Sequence, residues 1–342
     1  KNLTNNMNEK TPNNIYKIPP ENAEMRLDRL LQHLKPELNF GPMQKLCRTG
    51  QVRLDGKRVK GKERVAAGQE LRLPPHFLAT DNKAEVSPEA VKNEQQLSAK
   101  DWAWLQEAVL FRDDDMIALN KPAGIPVQAG SGHTRSLDRL MNAFCAPLKP
   151  RLVHRLDKAT SGVLVFALNR ESAASLTKQF ASREAQKTYL AALSGALLDG
   201  QGTLDFALEK TAADDGYEQM KAVYNARRAE NIRGQQAKTV YKRLQRTGSY
   251  QLIEAKPETG RTHQLRAHFS IMGAPIVGDR KYGGEGYKYK NKNTMLLHAR
   301  TLEIIHPKTR QSLKLSAPLP EPFQAFCRAR EWESGFIKND KA

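Results

Sequence analysis

From about residue 104 to residue 336 the chain carries short apolar runs bounded by polar turns, and these restrict its fold more than any other feature. Met116–Leu119, Gly162–Leu168, Thr188–Leu193, Thr239–Leu244, Tyr250–Ala255, Leu302–Ile305 and Leu313–Leu315 have the length and composition of strands. Helical spacing intervenes at a few places. Glu171–Ser182 places Ala174, Leu176 and Phe180 at apolar positions, and Thr262–Met272 predicts a second helix. Strands with occasional helices, and no regular alternation between them, predict an α+β fold built on a mainly antiparallel mixed sheet. Residues 209–237, rich in Glu, Lys, Arg and Ala without a period, predict an insertion or a flexible flap.

The N-terminal part reads differently. Residues 1–24 are polar and aperiodic, which predicts a disordered arm. Leu27, Leu30, Leu31 and Leu34 then fall at helical spacing, with Arg26 and Arg29 off the stripe. A second short helix is expected from Pro42 to Gly50, with Lys45 and Arg48 outward. Val52-Arg53-Leu54 and Lys57-Arg58-Val59 flank Asp55-Gly56, the signature of a two-residue hairpin turn. Residues 25–74 therefore predict a small α+β domain with a basic face carrying Arg26, Arg29, Lys45, Arg48, Arg53, Lys57 and Arg58. A polar linker over 75–103 and a large domain over 104–336 follow.

Lys and Arg number 55 against 37 Asp and Glu, a net charge of +18, which favours a polyanionic partner: RNA, DNA or an anionic membrane. Membrane is the weakest of these, because no apolar run is long enough to span a bilayer and no signal peptide is visible. A cytoplasmic monomer is expected. Cys47, Cys145 and Cys327 are widely spaced and read as reduced packing residues. His263 and His268 stand five apart, not the i, i+4 pair with which a helix grips zinc. Neither a metal nor a cofactor is expected.

The chemistry concentrates in His154-Arg155-Leu156-Asp157, followed by Lys158-Ala159-Thr160-Ser161-Gly162. Asp157 lies between a basic, strand-like approach (Arg151 to Arg155) and an apolar strand. A carboxylate there, flanked by His and Arg, is poised for work on an anionic substrate. The plainer alternative is an aspartate that caps the turn and pairs with Arg155.

This run resembles the catalytic motif of the RluA family of RNA pseudouridine synthases. Leu119-Asn120-Lys121-Pro122-Ala123-Gly124, Lys187-Thr188-Tyr189, Gly260 to His268, Gly278-Asp279 and Leu297-His298-Ala299 match further family motifs in order, covering roughly residues 105–320. The N-terminal unit resembles an S4 RNA-binding domain, which commonly precedes this catalytic domain. The resemblance implies isomerisation of uridine in structured RNA, with Asp157 as the reacting carboxylate. Three routes are open to it: attack at C1′, attack on the ring, or removal of the 2′ hydrogen. It also implies that Arg266 pairs with Asp157, with Arg261 as the other candidate, and that Tyr189 stacks on the uracil. Arg155 is expected to enter the helix where the base was. His154 is expected to orient the loop or contact phosphate, Leu265 to wall the uracil, and Lys121 and Lys187 to contact phosphate or stabilise the sheet. Val127-Gln128-Ala129-Gly130-Ser131-Gly132 and Pro150-Arg151-Leu152-Val153 look most like the RluC branch, which acts on 23S ribosomal RNA. Members acting on transfer RNA generally lack the S4 unit. A silent RNA-binding protein and a hydrolase are the remaining readings. Intact Asp157, Arg266 and Tyr189 argue against the first; the lack of a second acid or a metal argues against the second.

Overall fold

The computed structural model describes residues 14–35, 38, 40–75, 77, 97–128, 135–196, 198–212, 218–222 and 234–332. The chain divides into two compact units, Lys1–Gln95 with Gly130–His133, and Gln96–Ala129 with Thr134–Ala342.

The smaller unit starts with β1 (Ile15–Lys17), which pairs with β4 (Glu70–Arg72). Residues 15–17 are thus not a loose arm: alternation carries Ile18 into the core, where it is 1% exposed. Residues 1–13 lie outside the described residues. Helix α1 (Leu27–Leu34) buries the predicted leucine stripe, and α2 (Phe40–Arg48) adds Met43 and Cys47 to the same core. Each fully buried leucine here contributes on the order of 2 kcal/mol. Strands β2 (Arg53–Leu54) and β3 (Lys57–Arg58) form the predicted hairpin. Asp55 and Gly56 have φ of 48° and 75°, the doubly left-handed turn whose twist matches the strands. The Asp55 carboxylate also accepts the Glu70 N–H at 2.9 Å, tying the turn to β4.

The larger unit opens with α3 (Ala99–Ala108), which starts inside the predicted linker because Ser98 caps it by accepting the Asp101 N–H. Then come β5 (Val109–Arg112), β6 (Met116–Lys121), α4 (Leu137–Phe144), β7 (Arg151–Leu152) and β8 (Ser161–Ala167). Next are α5 (Arg170–Ser182), β9 (Gln186–Ser194), β10 (Gln201–Ala212), β11 (Glu218–Ala222), β12 (Gln235–Thr247) and β13 (Tyr250–Pro257). Helix α6 (Gln264–Ile271), a ribbon of β14 (Lys288–Tyr289) and β15 (Lys292–Asn293), β16 (Leu297–Ile305), β17 (Ser312–Ser316) and α7 (Glu321–Arg328) complete it.

One sheet runs β11-β10-β12-β13-β9-β16-β8-β6-β5, with β7 added to β8 and β17 to β16. Among the described residues its pairs are antiparallel except β8 with β16, so the predicted architecture stands. Alternation assigns the two faces. Ile117, Leu119, Leu164 and Phe166 meet α3 and α4, while Met116, Ala118, Val163 and Val165 meet Leu176 of α5. Farther along, Leu193, Ile253 and Ala255 meet Leu265 and Phe269 of α6; Leu190, Ala192 and Leu252 meet Phe323 and Phe326 of α7. Burial on both faces is why β8 reads as an unbroken apolar run.

Two expectations change. Within 209–237, Glu209–Ala212, Glu218–Ala222 and Gln235–Ala237 belong to β10, β11 and β12 rather than to an unstructured flap. β11 is the outer strand of the sheet and pairs with β10 alone. The approach to Asp157 leaves the sheet after Leu152, so Val153 to Asp157 is not an extended strand.

Candidate active site

A cleft of about 420 Å³ opens between α5, β9 and the start of α6, and Asp157 lies in its wall. That volume suits a single nucleotide-sized ligand. The loop bearing Asp157 has no sheet partners of its own, so something else must fix it. Lys121, at the end of β6 and fully buried, does so: its Nζ donates to the carbonyls of Pro122 (3.0 Å), Lys158 (3.2 Å) and Thr160 (2.7 Å). These use all three ammonium protons. Burial draws its pKa down to about 7, with the Asp157 charge resisting. The phosphate contact considered for Lys121 is therefore replaced by an internal staple. Gly162 lets the loop close onto β16. Its φ is 114°, and a Cβ there would sit 2.1 Å from the carbonyl oxygen of Ala299.

Opposite the loop, α6 is anchored at its start by Gln264. Its Oε1 accepts from Thr259 Oγ1 (2.7 Å) and the Arg261 N–H (3.0 Å), and its Nε2 donates to Lys238 O (2.9 Å) and Thr239 Oγ1 (3.0 Å). Within the first turn of the helix, Arg266 reaches Asp157, with Nη1 3.4 Å from Oδ2. The other side of its guanidinium is held by Asp279, Nε to Oδ2 at 2.6 Å and Nη2 to Oδ1 at 2.8 Å. Burial works against the Arg266 charge. The hydrogen bonds and charge of Asp279, with Asp157 behind them, outweigh it and raise its pKa above ordinary arginine. Arg261 makes no such contact; its Nε donates to Gln236 O at 3.0 Å. Helix α6 begins only at Gln264, so the two arginines do not share a helix.

Tyr189, on β9, lines the cleft between Ala255 of β13 and Ala299 of β16, small neighbours on either side in the sheet. Burial, and secondarily the Asp157 charge, push its hydroxyl pKa up, so it stays a neutral phenol. Lys187 stands two residues earlier, hence on the same face of β9, with its pKa lowered by burial and by Arg183. Leu265 lines the cleft while also packing in the core with Leu193 and Phe269.

Arg155 is exposed at the cleft wall. His154 does not offer phosphate a cation: its ring stacks on Phe180 at 4.3 Å, and its Nε2 accepts the Val165 N–H at 3.0 Å. Burial, with Lys187 adding repulsion, lowers its pKa to about 3. In the smaller unit Arg29, Lys45, Arg48, Lys57 and Arg58 are exposed. Arg26 is instead engaged by Asp28, and Arg53 donates to the carbonyls of Gly50 and Gly56.

Sequence reasoning passed over Asp279 as a working residue, weighed His263 only as a zinc ligand, and did not single out Gln264 or Tyr282. The first three lie inside quoted motifs; Tyr282 carries no local signal, being an aromatic at the end of a short turn. Among the described residues one group, Asp113, Asp115 and His306, gathers potential metal-ligating atoms. They are already matched: His306 Nε2 to Asp113 at 2.7 Å, and Asp115 to Asn169 and Ser172 at 2.8 and 2.9 Å.

Comparison with known proteins identifies relatives of this chain. The model of the RNA pseudouridylate synthase family matches residues 115–271. The chain is similar to ribosomal large subunit pseudouridine synthase C of Vibrio vulnificus, 30% identical with 93% of this chain and 97% of that protein covered. The Escherichia coli protein of the same name is 31% identical over 92% of this chain and 96% of its own. Among solved structures, human RNA pseudouridylate synthase domain containing 4 superposes with a TM-score of 0.56 at 26% identity, covering 70% of this chain and 98% of that one.

Proposed function

The chain belongs to the RNA pseudouridylate synthase family, and from that premise we propose that it converts specific uridines of 23S ribosomal RNA to pseudouridine, with Asp157 as the reacting carboxylate. The observation that carries the reading is the Asp157–Arg266 contact of 3.4 Å in a cleft faced by Tyr189. A guanidinium fixed on its far side by Asp279 holds the carboxylate in one orientation.

The reaction breaks the N1–C1′ bond, turns the base and rejoins it through C5, so N1 gains the proton that C5 gives up. It needs no redox partner. The uridine must leave its stack, and an aromatic face that holds the freed uracil prevents its escape. Tyr189 fits that task, with Leu265 as an apolar wall. Asp157 acts at C1′, on the ring or at the 2′ hydrogen. Asp279 is committed to Arg266, which separates the site from a two-carboxylate glycosidase. Arg155 is the residue we assign to the space left by the base, and Arg261 to the phosphate nearby.

We assign the smaller unit as the S4-type RNA-binding domain, with the linker as its tether. Its exposed cations suit phosphate contacts, which set affinity rather than chemistry. The large-subunit names of the relatives and the RluC-like segments support 23S RNA over transfer RNA. A compartment holding ribosomal RNA follows, and we take the working form to be a monomer.

The test is pseudouridine mapping on unmodified 23S and transfer RNA incubated with wild type or Asp157→Asn, without added metal or cofactor. Discrete 23S sites with wild type alone are expected, while Asp157→Asn binds RNA within a few fold of wild type. Sites only in transfer RNA would overturn the substrate, and turnover by the variant would overturn the role of Asp157.

A further inference from the structure

Beside the Asp157–Arg266–Asp279 clamp runs a second line of contacts. The Met220 N–H, in β11, donates to Tyr282 Oη at 3.0 Å. Tyr282 Oη lies 2.9 Å from His263 Nδ1, and His263 Nε2 lies 3.8 Å from Asp157 Oδ2. The His263 and Tyr282 rings meet edge to face, and the Arg266 guanidinium carbon sits 4.9 Å over the Tyr282 ring. His263 has φ of 52°, a left-handed conformation that a non-glycine keeps only where its surroundings hold it.

The contacts imply a tautomer. The Tyr282 oxygen offers one proton and two acceptor sites. With the Met220 N–H on one site, its proton directed at Nδ1 leaves His263 protonated on Nε2, facing the carboxylate. The opposite tautomer would aim a lone pair at an anion. Burial lowers the His263 pKa; the Asp157 and Asp279 charges oppose this, and Arg266 and Lys281 reinforce it, so the ring is neutral at pH 7.

We propose that His263 is a positioning residue for Asp157: its Nε2–H, fixed by Tyr282 and by the main chain of β11, joins Arg266 in holding Oδ2 and leaves Oδ1 to face the substrate. No proton leaves His263 in the reaction. At 3.8 Å the Nε2–H dipole of the neutral ring orients the carboxylate, and the contact shortens when substrate excludes water. The outer hairpin β10–β11 thereby belongs to the support of the site. The inference rests on the reading of Asp157 as the reacting carboxylate.

Tyr282→Phe keeps the ring under Arg266 and removes only the hydroxyl; His263→Asn keeps a residue that tolerates positive φ. Each is expected to lower kcat roughly tenfold with KM within about twofold, since small misplacements at a reacting group are costly. The double variant should be no worse than the worse single, because both remove one contact. ¹⁵N spectra of labelled histidine, assigned by difference against His263→Asn, should show the proton on Nε2 in wild type and mixed tautomers in Tyr282→Phe. Multiplying effects in the double variant, a change in KM alone, or a proton on Nδ1 in wild type would overturn the proposal. The spectra need no RNA, and wild-type turnover in the same assay tests the substrate separately. If a variant melts early, the tautomer spectrum of wild type decides alone.

Discussion

In the smaller unit Arg29, Lys45, Arg48, Lys57 and Arg58 stand exposed on α1, α2 and β3, whereas in the cleft of the larger unit Arg266 lies 8% exposed between two aspartates. The charge is the same and the physics is not. An exposed cation is screened by salt and pairs weakly, so it contributes affinity to any polyanion. A buried cation is tolerated only when matched, and the match fixes geometry. Under the proposed function, position decides whether charge gathers RNA or directs a reaction.

The comparison breaks most visibly at Asp279, whose side chain is 1% exposed. Asp279→Asn leaves Arg266 buried with Asp157, at the longer distance, as its one carboxylate among those it contacts. The guanidinium then recentres on Asp157 and disturbs the oxygen it was meant to orient. A kcat loss of about 100-fold at saturating RNA is expected, with about 3–5 kcal/mol of stability lost on urea unfolding. Unchanged kcat would mean that Asp279 has no part in setting the site.

A second contrast is acid tolerance. His268 and His298 are 0% exposed in the larger unit, and burial lowers both pKa values to about 4. Each folded pKa lies below the unfolded value of 6.5, so the unfolded chain binds more protons between those limits. Stability is therefore full above pH 6.5 and falls as pH drops toward 4, by at most about 3 kcal/mol per histidine. In the smaller unit His33 is exposed, and its perturbed carboxylates, Asp28 and Glu63, have lowered pKa values. That unit should hold to lower pH. Trp102, Trp104 and Trp332 all belong to the larger unit, so tryptophan fluorescence reports its unfolding alone. A fluorescence transition near pH 5 that precedes loss of the smaller unit's NMR signals is expected; coincident transitions would refute the assignment.

The same contrast explains what could be read from the chain. The leucine stripe of α1, the Asp55-Gly56 turn and the apolar run of β8 are local patterns, each written within one element. Asp157, Arg266 and Tyr189 were legible through motif resemblance, and the chain brings them to one cleft. What escaped depends on partners far away in sequence. Lys121 looks like a phosphate ligand until Lys158 and Thr160 take its protons, and β10 and β11 look aperiodic until they pair with each other. His154 sits in a motif full of cations, yet Phe180 and the Val165 N–H make it part of the fold.

The smallest effects belong to the exposed cations, and there the choice of residue matters. Arg26 and Arg53 are poor tests, because one is engaged by Asp28 and the other braces the β2–β3 turn through Gly50 and Gly56. Arg29, Arg48 and Arg58 touch the same solvent without bracing that turn. Changing each to Ala should raise KM a few fold, with the salt dependence of RNA binding shallower by about one counterion per contact. Melting temperature should not move, and kcat at saturating RNA should stay at the wild-type value. A fall in kcat would mean that this unit orders the substrate in the cleft as well as gathering it, and the division between affinity and chemistry would then fail at its weaker side.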